Sequence, residues 1–280
     1  MNVKTYTTAA DFLAHVGKYL AKNEARYGLM MGLAKRLMEN PHSYGQDNPW
    51  FCSVSTGAEI NATAIRTPPY PVDLGYFSGD MPAIAEKLAA AVADKFSAIP
   101  SVVGDKELVD LFANLWCEKY DVTIQSAMAQ RIYRLVKVND VPLAPGRFRV
   151  ATLADKELVL KWSHSFHIDI GGEARNQPET DITPVLEHGW AFIWEDGKPV
   201  SMAIKVRPTD KGMTVSGVYT PPELRGKGYA TSCVAELSRN ILQSGKEFCM
   251  LYTDLANPTS NSIYKKIGYQ EVCDSMEYIF

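Results

Sequence analysis

The sequence lacks a long apolar segment and an excess of basic residues. None of its 280 residues lies in an apolar run long enough to cross a bilayer. The stretch Met1–Tyr6 lacks the apolar core of a signal peptide. The net charge of −3 provides no overall basic field to attract nucleic acid. We therefore expect a cytoplasmic protein that binds neither a membrane nor nucleic acid.

Cysteine is also scarce. The five cysteines are odd in number and contain no CxxC pair; they are Cys52, Cys117, Cys233, Cys249 and Cys273. Such a set favours reduced, buried thiols over a disulfide framework or a zinc site. We expect no bound metal.

The apolar content of 46% and charged content of 22% are typical of a globular protein with a sizeable core. A length of 280 residues favours two domains. The clearest interruption is the stretch 138–146, which contains two prolines, a glycine and an Asn-Asp pair. We place the boundary near residue 143, which gives domains at 1–142 and 143–280.

The second half predicts the order β-α-α-β-β-β-α-β-α-β from its apolar periodicity and turn residues. The predicted elements are strand 147–152, helix 155–166, a short helix 181–187, strands 190–194, 200–206 and 212–220, helix 229–243, strand 248–253, helix 259–267 and a pair of short strands in 269–280. Gly268 is expected to end the last helix.

The first half predicts a similar order, which suggests a tandem repeat. Its predicted elements are helices 9–21 and 23–38, strands 50–55, 59–65 and 72–77, helix 81–96, strand 101–103, helix 106–120 and strand 127–136.

The stretch 218–230 joins a strand to a helix through a glycine-rich, basic turn. A helix start offers unpaired N–H groups, and glycine lets the backbone approach a phosphate. Arg225 and Lys227 add positive charge, so the turn suits a pyrophosphate. It lacks the spacing of a P-loop, and Thr231 occupies the position of the third glycine of a dinucleotide fingerprint. A surface turn with two basic residues is the alternative.

The run Arg225–Ala230 matches the [QR]-x-x-G-x-[GA] signature of the GNAT superfamily of N-acetyltransferases. The run Asn257–Tyr269 resembles the second coenzyme A motif of that superfamily, an Asn followed by a helix that carries Tyr and closes with Gly-aromatic. The resemblance covers residues 147–280. It implies an α/β protein with two GNAT-like domains, each a mixed, mostly antiparallel central sheet flanked by helices.

The resemblance also implies roles for individual residues. Backbone groups of the strand end would bind the pantetheine arm of acetyl-CoA. Amides of the turn would bind its pyrophosphate, and two asparagines would contact its arm. Tyr264 would be the general acid and would line the cofactor site. The implied cofactor-binding residues are Val218, Tyr219, Thr220, Arg225, Gly226, Lys227, Gly228, Tyr229, Ala230, Thr231, Asn257, Asn261 and Tyr264. Helix capping by the asparagines and core packing by Tyr264 are the alternatives.

The acceptor side carries weaker signals. By resemblance the region 164–184 shapes the acceptor pocket; its polar residues are His164, His167, Asp169, Glu173 and Arg175. The two histidines are three residues apart and would share a helix face, with solvation favoured over a metal role. Glu223, Asp254 and Glu173 are candidate general bases, and a water chain is the alternative.

The first half lacks the phosphate motif. Thr67-Pro68-Pro69 is similar to Thr220-Pro221-Pro222, but Val72-Asp73 then stands where Arg225-Gly226 stands. With the alignment shifted, Ser78-Gly79-Asp80 precedes the helix instead, again with an acid and no arginine. We interpret this half as a degenerate copy.

The resemblance therefore implies an acetyl-CoA-dependent N-acetyltransferase acting on an unidentified small-molecule or peptide amine by direct attack. Two other functions stay open at this point. One is a non-catalytic acyl-CoA-binding sensor, and the other is an aminoacyl-tRNA-dependent transferase of related tandem fold. The intact phosphate motif and the acidic balance argue against tRNA, and Tyr264 favours catalysis over sensing.

Overall fold

The computed structural model describes residues 1–171 and 182–280. Their contacts form two compact units. The first unit contains residues 1–132 and 272–280, and the second contains residues 133–271. The assignment of a degenerate domain to 1–142 and a catalytic domain to 143–280 stays a prediction.

The first repeat of secondary structure runs from β1 to β6. Its elements are β1 (Asn2–Tyr6), α1 (Ala9–Leu20), α2 (Gly28–Glu39), β2 (Trp50–Thr56), β3 (Glu59–Arg66), β4 (Val72–Tyr76), α3 (Met81–Lys95), β5 (Ser101–Asp105), α4 (Lys106–Tyr120) and β6 (Ser126–Leu135).

The second repeat has the same order of elements. They are β7 (Arg147–Val150), α5 (Lys156–Asp169), α6 (Thr183–Glu187), β8 (Ala191–Asp196), β9 (Lys198–Val206), β10 (Gly212–Tyr219), α7 (Tyr229–Gln243), β11 (Phe248–Asp254), α8 (Pro258–Ile267) and β12 (Gln270–Ile279). The tandem repeat expected from the sequence pattern is thus visible in the element order.

The last strand of each repeat stands beside strands of the other repeat in the strand order. The order β1-β2-β3-β4-β5-β12 ends on a strand that belongs to the first unit from Val272 onward, and the order β6-β11-β10-β9-β8-β7 starts on a strand that belongs to the second unit from Tyr133 onward. Strand β12 pairs antiparallel with β5, from Ser275 opposite Asp105 to Ile279 opposite Ser101. Only the β4–β5 and β10–β11 pairs are described as parallel, as expected where a helix connects two strands.

Helices cover both faces of each sheet because neighbouring strand residues point to opposite faces. In the second unit, Phe192 and Trp194 pack in the core beneath α7 and α8, whereas Ala191 and Ile193 pack beneath α5 and α6. The first unit repeats this layering, with α3 and α4 over one core and α1 and α2 over the other. Among the residues described, no helix is both long and apolar enough to cross a membrane.

Most predicted elements are present, and three differ. The predicted pair of short strands in 269–280 is wrong, because β12 is one continuous strand. The sequence pattern missed β1, and α2 begins at Gly28 rather than at residue 23 because a short 3₁₀ turn precedes it. Asp181, the predicted start of the short helix, lies outside the described residues.

Asp155 anchors the start of α5. Its carboxylate accepts hydrogen bonds from the Thr152 N–H at 2.9 Å and from the Arg149 guanidinium at 2.8 and 2.9 Å. The hydrogen bonds with Arg149 lower the pKa of Asp155 to about 2, and those with Thr152 add to the effect. This links the second unit's stability to pH.

We expect Asp155→Asn to lower the free energy of unfolding at pH 7 by about 1–2 kcal/mol, after allowance for solvent screening. The pKa is lower in the folded state, so the stabilisation is present above the unfolded pKa of about 3.9 and is lost as the pH falls towards 2. Thermal unfolding of both proteins from pH 7 down to pH 3 measures this. An equal difference at every pH would contradict the linkage.

Candidate functional site

Strands β10 and β11 pair over only part of their length. Their parallel register joins Gly212–Thr214 to Phe248–Met250, whereas β10 continues to Tyr219 and β11 to Asp254. The carboxyl-terminal parts of both strands extend beyond the paired residues. The backbone groups that each of these parts turns towards the other strand are therefore open to another hydrogen-bonding partner. The Thr214 hydroxyl, at the last paired position, is buried and has no hydrogen-bond partner among the described residues.

A bulge bends β10 before its end. Ser216 pairs with Ile204 and Tyr219 with Met202, so β10 has one residue more than β9 between these pairs. Gly217 in the bulge has a φ of 58°, and a Cβ there would lie 3.0 Å from the Ile204 side chain. Only glycine combines that conformation with that packing. The bulge therefore redirects Val218 and Tyr219 where the strand leaves the ladder.

The end of β10 is fixed by buried hydroxyls. Ser201 on β9 donates to the Tyr219 carbonyl at 3.1 Å, and Thr220 donates to the Ser201 hydroxyl at 2.9 Å. The buried Tyr219 ring lies 6.1 Å from the Trp162 ring of α5, centroid to centroid. These contacts anchor Tyr219 and Thr220 to β9 and α5.

Arg225 ties the following turn to the strand. Its Nε donates to the Thr220 carbonyl at 2.9 Å, and its Nη2 bonds with Asp169 Oδ2 at 2.5 Å. The turn itself is exposed, and Gly226 and Gly228 have φ values of 79° and 81°. Left-handed glycines at both positions let the backbone reverse direction into α7.

The first turn of α7 offers uncapped N–H groups. Gly228 is the N-cap residue and no side chain caps the helix, while the first turn contains no acidic residue. The N–H groups of Tyr229, Ala230 and Thr231 have no acceptor within the helix. With the helix dipole and the cations of Arg225 and Lys227, this start is suited to bind an anion.

Both predicted asparagines make hydrogen bonds within the protein. Asn257 caps α8 by accepting from the Ser260 N–H at 3.0 Å. Asn261 donates to the carbonyls of Asp254 and Asn257 at 2.9 and 2.7 Å, and its carbonyl accepts from Tyr133 at 3.0 Å. The capping alternative is therefore realised for Asn257, and contact with a cofactor stays a prediction for both.

Tyr264 lies on α8, one turn after Asn261, and is 8% exposed. Its ring centroid is 6.4 Å from that of Tyr133 and 5.8 Å from that of Tyr269. Burial raises the pKa of Tyr264 to about 12, so the phenol is protonated at neutral pH. None of the hydrogen bonds described for residues 1–171 and 182–280 involves its hydroxyl, which leaves a buried proton donor available.

The predicted bases and histidines lie in different settings. Glu223 is exposed in a 3₁₀ turn, and Asp254 Oδ1 accepts from the Ala256 N–H at 2.8 Å. His164 and His167 are exposed on α5. Glu173 and Arg175 lie outside the described residues. The part of the chain that the structure describes contains no group of three or more His, Cys, Asp or Glu arranged to hold a metal ion.

Sequence reasoning missed two contributors to this region. Ser201 is a polar residue inside the apolar strand β9, which is a local signal that it has a buried partner. Tyr133 comes from β6, 128 residues before Asn261, and has no local signal. Both become visible only when the strands are paired.

Comparison with known protein families points to the second half of the chain. A family model described as FR47-like protein matches residues 196–279, which include β9 to β12. No curated protein matches the chain significantly. The family match thus falls on the half that carries the candidate site.

Solved structures resemble nearly the whole chain. A Drosophila protein has a TM-score of 0.68 at 13% identity, with 99% of this chain and 98% of that chain covered. A GCN5-related N-acetyltransferase from Sphaerobacter thermophilus has a TM-score of 0.59 at 12% identity, with 99% and 94% covered. A GNAT-family acetyltransferase from Colwellia psychrerythraea has a TM-score of 0.56 at 12% identity, with 100% of both covered.

Such identities establish the fold. The chain has the GNAT fold over its whole length, which confirms the predicted α/β class. The predicted resemblance of the C-terminal half to the GNAT superfamily is confirmed by the family match.

Proposed function

We propose that the protein is an acetyl-CoA-dependent N-acetyltransferase whose active site lies in the second unit. The observation that carries the proposal is the strand-turn-helix segment 218–231. It combines a strand end beyond its ladder with an uncapped, basic helix start. The relatives described as acetyltransferases share this fold, which supports the same class of reaction here.

The residues present fit coenzyme A. The inner side of β10 beyond Thr214 offers backbone groups that an extended pantetheine arm, with its two amides, would pair with as an added strand. The N–H groups from Gly226 to Thr231 would bind the pyrophosphate, with Arg225 and Lys227 supplying charge. The unpartnered Thr214 hydroxyl at the point where the strands part is consistent with a polar ligand there.

The bound thioester would supply an activated acetyl group, and the chain's own groups would act on its transfer. A new bond forms between the amine nitrogen and the carbonyl carbon as the carbon–sulfur bond breaks. A backbone N–H near Tyr219 would stabilise the negative oxygen. Tyr264 would donate its proton to the departing sulfur, and the surplus amine proton would pass to a base among Glu223, Asp254 and Glu173 or to water. Transfer of that proton through solvent to the Tyr264 phenolate would restore the starting state.

A thiol-release assay with acetyl-CoA tests the activity. A panel of small amines, amino acids, polyamines and peptides is supplied as acceptors, and free thiol is measured with a chromogenic disulfide. We expect release to depend on at least one amine class. Binding of acetyl-CoA without release for every acceptor would contradict the transferase and favour the sensor.

The first unit differs from the second where the cofactor would bind. Strand β4 ends two residues after its last registered pair with β5, and β5 ends one residue after it. Both backbone groups of Tyr76 at the end of β4 are occupied. Its N–H donates to Asp105 at 2.6 Å, and its carbonyl accepts from the Tyr27 hydroxyl at 2.5 Å.

The turn before α3 is occupied as well. The N–H groups of Phe77 and Ser78 donate to the Asn61 carbonyl at 2.7 and 3.1 Å. Asp80 caps α3 by accepting from the Ala83 N–H at 3.2 Å. Few amides are left for a phosphate, and the capping carboxylate would repel it. These contacts support a degenerate first half.

We therefore expect one coenzyme A to bind per chain. Isothermal titration calorimetry of the full-length protein with acetyl-CoA measures the stoichiometry directly. A value near one supports a single site. A value of two would contradict the degenerate first half without affecting the site at 218–231.

A further inference from the structure

Tyr133 connects the first repeat to the motif that carries Tyr264. It lies on β6, the last strand of the first repeat, and its side chain is fully buried in the core of the second unit. Its hydroxyl donates to Asn261 Oδ1 at 3.0 Å. This hydroxyl–amide bond is partly buried and restricts the orientation of both side chains, because breaking it leaves the hydroxyl of the fully buried Tyr133 without this partner.

Asn261 passes this constraint to the backbone around α8. Its amide nitrogen bonds with the carbonyl of Asp254, the last residue of β11, and with that of Asn257, the cap of α8. These two hydrogen bonds therefore fix the start of helix α8 relative to β11, both along the helix axis and in rotation about it. Asn261 and Tyr264 are three residues apart and lie on one face of the helix.

Tyr133 also contacts the general acid directly. The two rings are tilted by 50° at 6.4 Å between centroids, within the usual range for an aromatic pair. The Tyr264 hydroxyl has no described hydrogen bond of its own, so ring packing and the helix position hold the phenol in place.

We propose that Tyr133 is a positioning residue for Tyr264, supplied to the catalytic unit by the last strand of the first repeat. This inference rests on the proposed transferase activity. It assigns the first half a part in the reaction even though we expect that half to bind no coenzyme A. The Tyr133 ring limits the tilt of the Tyr264 ring, while the Tyr133 hydroxyl sets the helix through Asn261.

The test is Tyr133→Phe, which keeps the ring and removes the hydroxyl. Misplacing a catalytic group by about 1 Å costs up to ~100-fold in rate. Because Tyr133→Phe is expected to loosen the position of Tyr264 only in part, we expect kcat to fall by about 10-fold. The KM for acetyl-CoA is expected to change by less than kcat, because the strand end and the turn 225–231 are untouched and Asn261 keeps its bonds to the carbonyls of Asp254 and Asn257. The matched control is Tyr6→Phe, which removes another buried hydroxyl, 2.8 Å from Ser53 in the first unit, and should leave kcat unchanged.

A double-mutant cycle separates positioning from general loss of stability. If Tyr133 acts through the phenol of Tyr264, Tyr133→Phe has no further effect on kcat in a Tyr264→Phe background. A purely structural role predicts the same fold loss in both backgrounds. Thermal unfolding and acetyl-CoA titration verify that each variant is folded and binds its donor.

The outcomes distinguish a failure of the proposed transferase function from a failure of the positioning role of Tyr133. No amine-dependent thiol release by the unmodified protein would overturn the proposed function, and this proposal with it. Normal release by the unmodified protein together with an unchanged kcat for Tyr133→Phe would overturn the positioning role alone. A loss of kcat of equal size in both backgrounds would overturn it too.

Discussion

Tyr264→Phe is expected to lower kcat by about 10²–10⁴-fold with little change in the affinity for acetyl-CoA. The substitution keeps the ring that packs between Tyr133 and Tyr269 and removes only the hydroxyl. General acid catalysis contributes a factor of this size. Burial raises the pKa of the Tyr264 phenol to about 12, so the phenol carries its proton throughout the neutral range.

Tyr269→Phe is the matched control for this experiment. It removes a neighbouring buried hydroxyl, which lies 2.9 Å from the Ser238 hydroxyl of α7. Thiol release with the best amine gives kcat, and calorimetry gives the donor affinity. Turnover of Tyr264→Phe close to that of the control would contradict the acid role and make Tyr264 a packed aromatic, with protonation passing to water.

The parts of the fold that the sequence predicts are those specified by local chemistry. Helix α7 begins at Tyr229 and ends at Gln243, as predicted, because the glycines before it and the apolar face along it are both readable. Helix α8 ends at Gly268, whose φ of 113° requires glycine, and a Cβ there would lie 3.0 Å from the Asn139 side chain. Local signals of this kind need no knowledge of the partner strands.

The parts that were wrong depend on distant partners. The polar pair Asp274-Ser275 interrupts the apolar pattern of the last segment, which favoured two short strands. Within the first unit, Asp274 bonds with Arg131, and Ser275 donates to the Gly104 carbonyl 171 residues away. Strand β1 was missed because only Tyr6 in it is buried, so no alternation marks it.

The candidate site divides in the same way. The turn 225–228 and the start of α7 were predictable as structure, because the glycines and the strand-to-helix junction are local features of the sequence. Ser201 and Tyr133 were not, because each acts across strands that are separate in the chain. The places of β6 and β12 in the strand order are equally hidden, since the proline-containing stretch 138–146 carries no information on which strands pair.

Gly228→Asp is expected to weaken acetyl-CoA binding by about 100-fold or more. Gly228 is the N-cap of α7, and a Cβ there would meet only Ala144 at 3.8 Å, so the side chain fits. A carboxylate at this position would place a negative charge beside the N–H groups that the pyrophosphate needs. It would also repel the phosphates, at a cost of about 2–4 kcal/mol near a protein surface, or about 30- to 1,000-fold in affinity.

Gly228→Ala separates these effects from backbone strain. Alanine at position 228 has the same conformational cost as aspartate, because both would have to adopt a φ of 81°. Alanine adds neither a charge nor a hydrogen-bond acceptor, so most of the affinity for acetyl-CoA should remain. The aspartate variant should stay folded, because Gly228 is exposed and the added side chain meets only Ala144. Calorimetric titration of both variants with acetyl-CoA, alongside thermal unfolding, gives the comparison. Equal affinity of the folded aspartate variant and the unmodified protein would place the pyrophosphate elsewhere and remove the main support for a coenzyme A site at this turn.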